Sequence, residues 1–401
     1  MTRTLILALS LVCLAGCGVS DTVREIFSVD KDNTEPPAPL VQFTQRVNVI
    51  ELWSESSGSG TGDQYLNLAP VVANQRVFIV DSDGQVRCMD AVNGRTLWTR
   101  KLKQGSGFKF WASDEAERIT GGPGYGEDTV MVGTSEGRVI AINSENGQEL
   151  WSARVSSEVL SAPQKSANIV IVRTLDGKIF ALDGDDGKRL WVYDRSVPAL
   201  TLRGTSTPVI YQGIVIAGFD GGRLAALELE TGRVLWEARI STGAGSTELE
   251  QMVDLDSTPL VYNGIIYVAT YQGSVAAVQL ESGRIVWTRD VSSYAGISAD
   301  DNNIYVTDED SHLWAFERYT GTSVWKQEKL HARGATAPAA IGNYLVVGDV
   351  EGYLHWIDKE SGNFVARTRL AKDRIIVQPV NVGKVLYAYC SDGRLAAYTY
   401  R

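Results

Sequence analysis

Few residues in this chain of 401 have the types and spacing that chemistry requires. The three histidines, His312, His331 and His355, do not lie at the spacing of paired metal ligands. The sequence also contains no GxSxG, P-loop or HExxH motif. We therefore predict no catalytic residue, no cofactor and no metal site, and interpret each histidine as a surface or hydrogen-bonded strand residue.

Two further features could be mistaken for ligand sites. The glycine-rich run GGPGYGED at 121–128 has neither a strand before it nor a helix after it, so a long loop is predicted rather than a phosphate site. Asp176, Asp220 and Asp392 each come just before glycine and are predicted to be turn residues, with calcium ligation as the alternative.

One group of residues has the chemistry of a protein-binding surface. ALTLRGTSTP places Leu200 and Leu202 before Arg203, and VDLDSTP places Asp254 and Asp256 in the next connection. An apolar pair beside an arginine, close to two carboxylates, is typical of a partner-binding patch. An alternating strand entry with paired surface charges explains the same residues equally well.

These residues lie between copies of an internal repeat. A glycine followed four residues later by tryptophan recurs as NGRTLW, NGQELW, DGKRLW, TGRVLW, SGRIVW and TGTSVW, and SGNFVA keeps the glycine without the tryptophan. A turn before an apolar run, as in DSDGQVRCMD and TLDGKIFALD, recurs eight times, with the glycine missing in DEDSHLW. β-Branched runs that end at glycine turns predict strands. Four strands in a unit of about 40–50 residues indicate a propeller blade.

The repeat predicts an all-β fold, an eight-bladed β-propeller of four-stranded antiparallel blades, over residues 44–401. The last copy ends after its third strand, and VNVIELWSE at 47–55 carries Trp53 with no copy before it. We predict that this N-terminal strand completes the last blade and closes the ring. A solenoid or a two-domain sandwich explains neither feature. Longer connections between blades all fall on one face, which predicts a binding surface there.

The N-terminus predicts export and a lipid anchor. An apolar run at 5–14 is too short to span a bilayer, so residues 1–16 are interpreted as a signal peptide. LAGC resembles a bacterial lipobox, in which Cys17 becomes the lipidated first residue, and Gly18 resembles the signal for export to the outer membrane. An ordinary signal peptide with a chance cysteine is the alternative. Residues 17–43 are predicted to be the lipidated cysteine and a tether.

The net charge excludes one class of partner, and the remaining cysteines are predicted to lie in the core. The formal net charge of −10 argues against a nucleic-acid partner, because phosphate binding needs a basic surface. Cys88 and Cys390 lie in apolar runs, so buried thiols are predicted, with a disulfide between them as the alternative.

The repeat is similar to the PQQ-like repeat, which also occurs in eight-bladed quinoprotein dehydrogenases. Membership of that enzyme group implies a quinone pocket, a bound calcium and, in many members, adjacent cysteines, but this sequence has no CC pair. A quinone-dependent dehydrogenase is thus only an alternative function. A glycan-binding periplasmic propeller is a second alternative.

The lipobox, the tether, the eight repeats and the motifs PAPLVQF, ALTLRGTSTP and VDLDSTP together resemble the BamB family, the propeller lipoproteins of the outer-membrane β-barrel assembly machinery. That resemblance implies a non-enzymatic scaffold, anchored at the periplasmic face of the outer membrane. It implies binding to the periplasmic POTRA domains of the BamA-type barrel-inserting subunit through Leu200, Leu202, Arg203, Asp254 and Asp256. Exposed blade edges are further expected to accept strands of unfolded client proteins.

Overall fold

A computed structural model describes residues 35–56, 58–61, 64–103, 116–194, 206–241 and 253–401. Every regular element in these segments is a β-strand, and the strands form eight four-stranded antiparallel sheets. The predicted eight-bladed propeller is therefore confirmed. Among the same residues, no helix is long and apolar enough to cross a membrane.

Each blade is a meander of four strands, which begins at the innermost one. Blades 1 to 4 comprise β2 (Val71–Ala73), β3 (Arg76–Val80), β4 (Gln85–Asp90) and β5 (Thr96–Lys101); β6 (Ile119–Gly126), β7 (Thr129–Thr134), β8 (Arg138–Asn143) and β9 (Glu149–Arg154); β10 (Gln164–Ser166), β11 (Ile169–Arg173), β12 (Ile179–Asp183) and β13 (Arg189–Tyr193); and β14 (Val209–Tyr211), β15 (Ile214–Phe219), β16 (Arg223–Glu228) and β17 (Val234–Arg239).

Blades 5 to 8 follow the same order, except that the outer strand of blade 8 comes from the N-terminal part of the chain. They comprise β18 (Leu260–Tyr262), β19 (Ile265–Ala269), β20 (Val275–Gln279) and β21 (Ile285–Arg289); β22 (Ile297–Ala299), β23 (Asn303–Thr307), β24 (Leu313–Glu317) and β25 (Ser323–Gln327); β26 (Ala339–Ile341), β27 (Tyr344–Gly348), β28 (Tyr353–Asp358) and β29 (Phe364–Arg369); and β30 (Val380–Val382), β31 (Val385–Tyr389), β32 (Arg394–Tyr400) and β1 (Val49–Ser56).

The hydrophobic cores lie between blades. In blade 5, β19 and β20 are almost entirely buried, whereas the outer strand β21 alternates between buried and exposed residues. Ile216 and Leu224 of blade 4 pack in one cluster with Ile266 and Val268 of blade 5. Because each core needs two neighbouring blades, no blade buries its apolar faces alone.

The repeated glycine and tryptophan join neighbouring blades. Each tryptophan ring packs against the repeated glycine of the next blade, in the pairs Trp53–Gly94, Trp98–Gly147, Trp151–Gly187, Trp191–Gly232, Trp236–Gly283, Trp287–Gly321 and Trp325–Gly362. The glycines have φ of 68–73°, and a Cβ atom there would lie 2.5–2.8 Å from the indole. Only glycine fits a left-handed turn under a ring this close.

Both ends of the chain contribute to blade 8, as the sequence predicted. Strand β1 pairs antiparallel with β32, and the innermost strand β30 contacts β2 of blade 1. Trp53 packs on Gly94 of blade 1, and its Nε1 donates to the carbonyl oxygen of Ala91 at 3.1 Å. The ring is therefore closed by the N-terminal strand.

The two irregular copies still form four-stranded blades. In blade 7, Ala366 stands where the other blades have tryptophan. The third and fourth strands of blade 8 come from distant parts of the chain, so blade 8 has no hairpin there for an indole to contact. Val47 packs with Ala366 and Tyr398 instead. In blade 6, Ser311 takes the turn conformation of the missing glycine, with φ of 69°.

The prediction of a long loop at GGPGYGED is wrong, because its first six residues belong to strand β6. A Cβ atom on Gly121 would lie 2.6 Å from the carbonyl oxygen of Ser161, and one on Gly124 would lie 1.7 Å from that of Pro163. The glycines therefore allow the backbone of blade 3 to approach closely.

Cys88 and Cys390 are buried free thiols, so the disulfide alternative is wrong. Burial raises the pKa of each thiol to about 12, which makes both unreactive.

Candidate functional site

The ring has two faces that are built differently. The hairpin face carries the turns between first and second strands and between third and fourth strands, including every repeated glycine. The loop face carries the turns between second and third strands and the connections from one blade to the next. All five predicted partner-binding residues belong to these connections. Leu200, Leu202 and Arg203 lie outside the described residues, whereas Asp254 and Asp256 are described.

Asp254 is fixed between blades 4 and 5. It forms isolated β-bridges with Asp220, which follows β15, and with Tyr271, which follows β19. The backbone N–H of Tyr271 donates to the carbonyl oxygen of Asp254 at 2.9 Å, and that of Gly221 donates to Oδ1 of Asp254 at 3.3 Å. Asp254 is only 2% exposed. It is thus a buried residue held by two blades, not a solvated surface charge.

Three carboxylates surround one buried guanidinium at this point. Arg173, the last residue of β11 in blade 3, is 1% exposed, and its Nη2 lies 3.7 Å from Oδ1 of Asp220. Burial lowers the pKa of Arg173, although Asp220, Asp256 and Asp254 attract its charge. We call these four residues the acidic cluster.

Asp256 is the least compensated member of the acidic cluster. Burial, with repulsion from Asp254, raises the pKa of its carboxyl to about 7 in spite of Arg173. Its Oδ1 is buried and has no hydrogen-bond partner among the described residues. Because a buried carboxylate oxygen without a partner is costly, the ionised Asp256 destabilises the fold.

Sequence reasoning missed two members of the acidic cluster. The sequence predicts Asp220 only as a turn residue, and no motif marks Arg173. The available signal was the arginine that ends the apolar run IVIVR, because a buried arginine is rare unless it is paired.

Exposed aromatic side chains lie on the same face and were also missed. Tyr294 is 53% exposed and packs edge-on against Tyr271, with ring centroids 6.4 Å apart. Tyr65 is 78% exposed, and the guanidinium of Arg374 lies 4.5 Å from its ring centroid. Tyrosine and arginine are the residue types that protein interfaces favour.

In the part of the chain that the structure describes, one set of side chains has the spacing of metal ligands. Asp308, Asp310 and His312 each place a ligand atom within 4.8 Å of the others. However, Oδ1 of Asp308 accepts the backbone N–H groups of Asp310 and His312, and its Oδ2 contacts His312 Nδ1 at 3.1 Å and Trp314 Nε1 at 2.8 Å. The carboxylate already caps a turn, so we assign no ion to it.

The other two histidines have structural partners. The imidazole of His331 stacks on that of His312, with ring centroids 5.3 Å apart. His355 is a fully buried residue of β28, and its Nε2 is hydrogen-bonded to Asp349 Oδ2 at 2.8 Å.

The fold and its repeat place the chain in the class of eight-bladed propellers with PQQ-like repeats. The family model described as outer membrane protein assembly factor BamB matches residues 50–109 and 100–327. Proteins named outer membrane protein assembly factor BamB are 43% identical in Alkalilimnicola ehrlichii, over 98% of this chain and 96% of the relative, and 37% identical in Escherichia coli, over 98% and 97%. The chain belongs to the BamB family.

Solved structures agree with this assignment. The crystal structure of BamB from Moraxella catarrhalis is similar with a TM-score of 0.77 and 27% identity, over 88% of this chain and all of that one. Quinohemoprotein alcohol dehydrogenase from Comamonas testosteroni gives a TM-score of 0.66 at 14% identity, over 88% of this chain and 76% of that one. The second likeness concerns the fold alone.

Proposed function

We propose that this protein is a non-enzymatic scaffold in outer-membrane protein assembly, anchored through a lipidated Cys17 at the periplasmic face of the outer membrane. The family supports the assembly role, since its members carry that name and align with nearly the whole chain. The lipobox-like LAGC supports the anchor. The alternative of a quinone-dependent dehydrogenase rests on a shared fold, and a shared fold carries no activity with it.

The proposed partner is the set of periplasmic POTRA domains of the BamA-type barrel-inserting subunit, and the proposed contact is the loop face at blades 3 to 5. The observation that supports it most is the acidic cluster itself, which has more carboxylates than guanidinium groups and in which Oδ1 of Asp256 has no hydrogen-bond partner among the described residues. A basic side chain of the partner at this face would be attracted by the excess negative charge of the cluster.

The chain itself links the acidic cluster to the predicted Leu200, Leu202 and Arg203. Ser206 follows Arg203 by three residues. Its Oγ donates to the carbonyl oxygen of Ser257 at 2.9 Å, and its own carbonyl oxygen accepts from Arg173 at 3.3 Å. The described end of the first motif, from Ser206, therefore lies at the acidic cluster, which favours one binding site over separate patches.

Unfolded client proteins are proposed to bind the outer strands. The residue before each tryptophan is an aliphatic side chain 39–50% exposed, namely Leu52, Leu97, Leu150, Leu190, Leu235, Val286 and Val324. Blade 7 differs, because Arg46 and Val47 donate to the carbonyl oxygen of Val365 at 2.8 and 3.3 Å and leave that residue 5% exposed. The segment before β1 thus already covers part of one outer strand through backbone hydrogen bonds.

Joint replacement of Leu200, Leu202 and Arg203 by alanine in the full-length lipoprotein tests the partner site. We expect about a tenfold or greater loss of the barrel-inserting subunit on co-purification from solubilised outer membrane, because interface energy concentrates in such residues. The melting temperature should not change. Clients should stay bound, since the outer strands are intact.

The matched control replaces Arg189, Leu190 and Val192 by alanine. These are residues of the same kinds, but they lie on the outer strand of blade 3, away from the acidic cluster. The control should retain the barrel-inserting subunit. Normal recovery of that subunit with the first variant would contradict the proposed site.

A further inference from the structure

The segment before β1 lies against blades 6 and 7. We call residues 37–47 the strap. The backbone N–H of Ala38 donates to the carbonyl oxygen of His331 at 3.1 Å. The ring of Phe43 stacks on that of Phe364 with centroids 5.6 Å apart. The compact unit that contains the ring accordingly begins at Pro37, before the predicted boundary at 44.

Two arginines of the ring bind backbone carbonyls of the strap. Nη1 of Arg333 donates to the carbonyl oxygen of Ala38 at 2.7 Å, and Nη1 of Arg367 donates to that of Val41 at 3.1 Å. The guanidinium of Arg367 also lies 5.0 Å from the centroid of Phe43. The position of the strap therefore depends on where these two guanidinium groups are held.

A buried aspartate and a buried histidine hold both arginines. Oδ2 of Asp349 accepts from Nε of Arg333 at 2.8 Å and from Nε2 of His355 at 2.8 Å. Nε of Arg367 donates to Nδ1 of His355 at 3.2 Å. These contacts require a neutral imidazole with its proton on Nε2, because Nδ1 must accept. Asp349 and His355 are both 0% exposed.

We propose that His355 is a pH-sensitive latch, in which protonation of Nδ1 releases Arg367 and frees the strap from blade 7. A protonated Nδ1 has no lone pair to accept from Arg367, and it places a cation beside two guanidinium groups. Asp349 compensates one positive charge and already pairs with Arg333.

The other groups near His355 do not offset its protonation. The ring of Tyr353 lies 6.2 Å from the imidazole and has the guanidinium of Arg369 4.8 Å from its centroid. Glu351 is ion-paired with Arg333. From the strap side, the facing groups are the carbonyl of Val41 and the apolar ring of Phe43.

The direction of the pH effect follows from the docked state. Burial lowers the pKa of His355 below its ordinary 6.5, and Arg367 and Arg333 lower it further against the attraction of Asp349. Release of Arg367 and the strap removes part of the burial and one neighbouring guanidinium group, so the pKa of His355 rises toward its ordinary 6.5. Docking is therefore fully favoured above that pH and weakens as the pH falls below it, by up to about thirtyfold at pH 5.

Release would lengthen the chain between the proposed anchor and the ring. Residues 17–37 span at most roughly 70 Å when extended, and residues 17–48 span roughly 105 Å. This consequence rests on the proposed lipid anchor. The latch itself does not, so each can fail separately.

Hydrogen exchange on the full chain tests the latch. Protection of the amides of Ala38, Arg46 and Val47 is measured at pH 7.5 and pH 5.0 and corrected for intrinsic exchange rates. We expect this protection to fall at pH 5.0, by up to about thirtyfold. The middle of β16 should keep its protection and report that the ring stays folded. In His355→Gln, a side chain that donates and accepts without titrating, strap protection should not depend on pH.

His312→Gln and His331→Gln are the matched controls, because the carbonyl oxygen of His331 accepts from the strap and its ring stacks on that of His312. Both should keep the pH response of the unmodified chain. Equal strap protection at the two pH values would overturn the proposal, as would a response that persists in His355→Gln or disappears in His331→Gln. If His355→Gln does not fold, the unmodified chain and the two controls still decide the outcome.

Discussion

The two faces of the ring are built by different kinds of contact. On the hairpin face, Oδ1 of Asp90, Asn143 and Asp183 accepts the N–H two residues later at 2.8–2.9 Å, and the glycine that follows turns the chain. On the loop face, the contacts join distant residues, as Arg173 of blade 3 joins Asp220 of blade 4.

That difference explains why one face is regular and the other is not. A turn specified by four or five successive residues can be copied from blade to blade, so the hairpin face repeats. The acidic cluster needs side chains from blade 3, from blade 4 and from the connection into blade 5, so it occurs where those blades meet. The contacts of the hairpin face therefore repeat around the ring, whereas the loop face carries a cluster that occurs at one place.

Removing an indole from the hairpin face should have the largest effect on stability. Trp287 is 8% exposed, packs on Gly321 and donates from Nε1 to the carbonyl oxygen of Arg318 at 3.0 Å. Trp287→Ala should lower the free energy of unfolding by about 3–5 kcal/mol, because it opens a cavity between blades. Urea unfolding measures this loss of free energy.

The neighbouring Val286 is the control, since it is 44% exposed on the same strand. Val286→Ala should change the free energy of unfolding by less than about 0.5 kcal/mol. Similar losses for the two variants would remove the distinction between inter-blade packing and exposed strand surface.

A pair of glycines separates turn conformation from packing between blades. Gly187 and Gly213 have φ of 73° and 77°, but a Cβ on Gly187 would lie 2.6 Å from the indole of Trp151, whereas one on Gly213 meets nothing within 4 Å. Both alanine variants incur about 1–2 kcal/mol for the left-handed backbone. Gly187→Ala should lose about 1–3 kcal/mol more from overpacking.

Thermal or urea unfolding of the two variants side by side gives this difference. If Gly187→Ala and Gly213→Ala lost the same free energy of unfolding, the repeated glycine would be needed only for the turn conformation. The inter-blade packing role assigned to the hairpin face would then be wrong.

The sequence predicted the regular part of the molecule because its rules are local. Glycine and tryptophan at fixed spacing indicated the blades, and the orphan strand around Trp53 indicated the closure. Strand β6 was missed, since a glycine-rich run predicts a loop unless the neighbouring backbone that it makes room for is known. That neighbour, around Ser161 and Pro163, lies in the connection into the next blade.

The acidic cluster and the latch could not be predicted from local sequence patterns, for the same reason. Arg173 and Asp220 are 47 positions apart in sequence and meet through the ring. Arg333 meets Ala38 over a separation of 295 residues. No periodicity relates such residues, so only the closed ring places them together.

Asp256→Asn tests the central claim most directly, because stability and binding should change in opposite directions. The folded state raises the pKa of Asp256 from 3.8 to about 7, so ionisation destabilises the fold as the pH rises through that interval. At pH 8 the neutral variant should be more stable by about 1–3 kcal/mol, allowing for partial solvent screening, and the gain should vanish below about pH 4.

Affinity for the periplasmic domains of the barrel-inserting subunit should meanwhile fall about tenfold or more at pH 8, since the charge that receives the partner is lost. Asp185→Asn on the hairpin face is the control and should leave affinity unchanged. The account predicts a more stable protein that binds more weakly. An Asp256→Asn variant that is less stable and binds normally would contradict it.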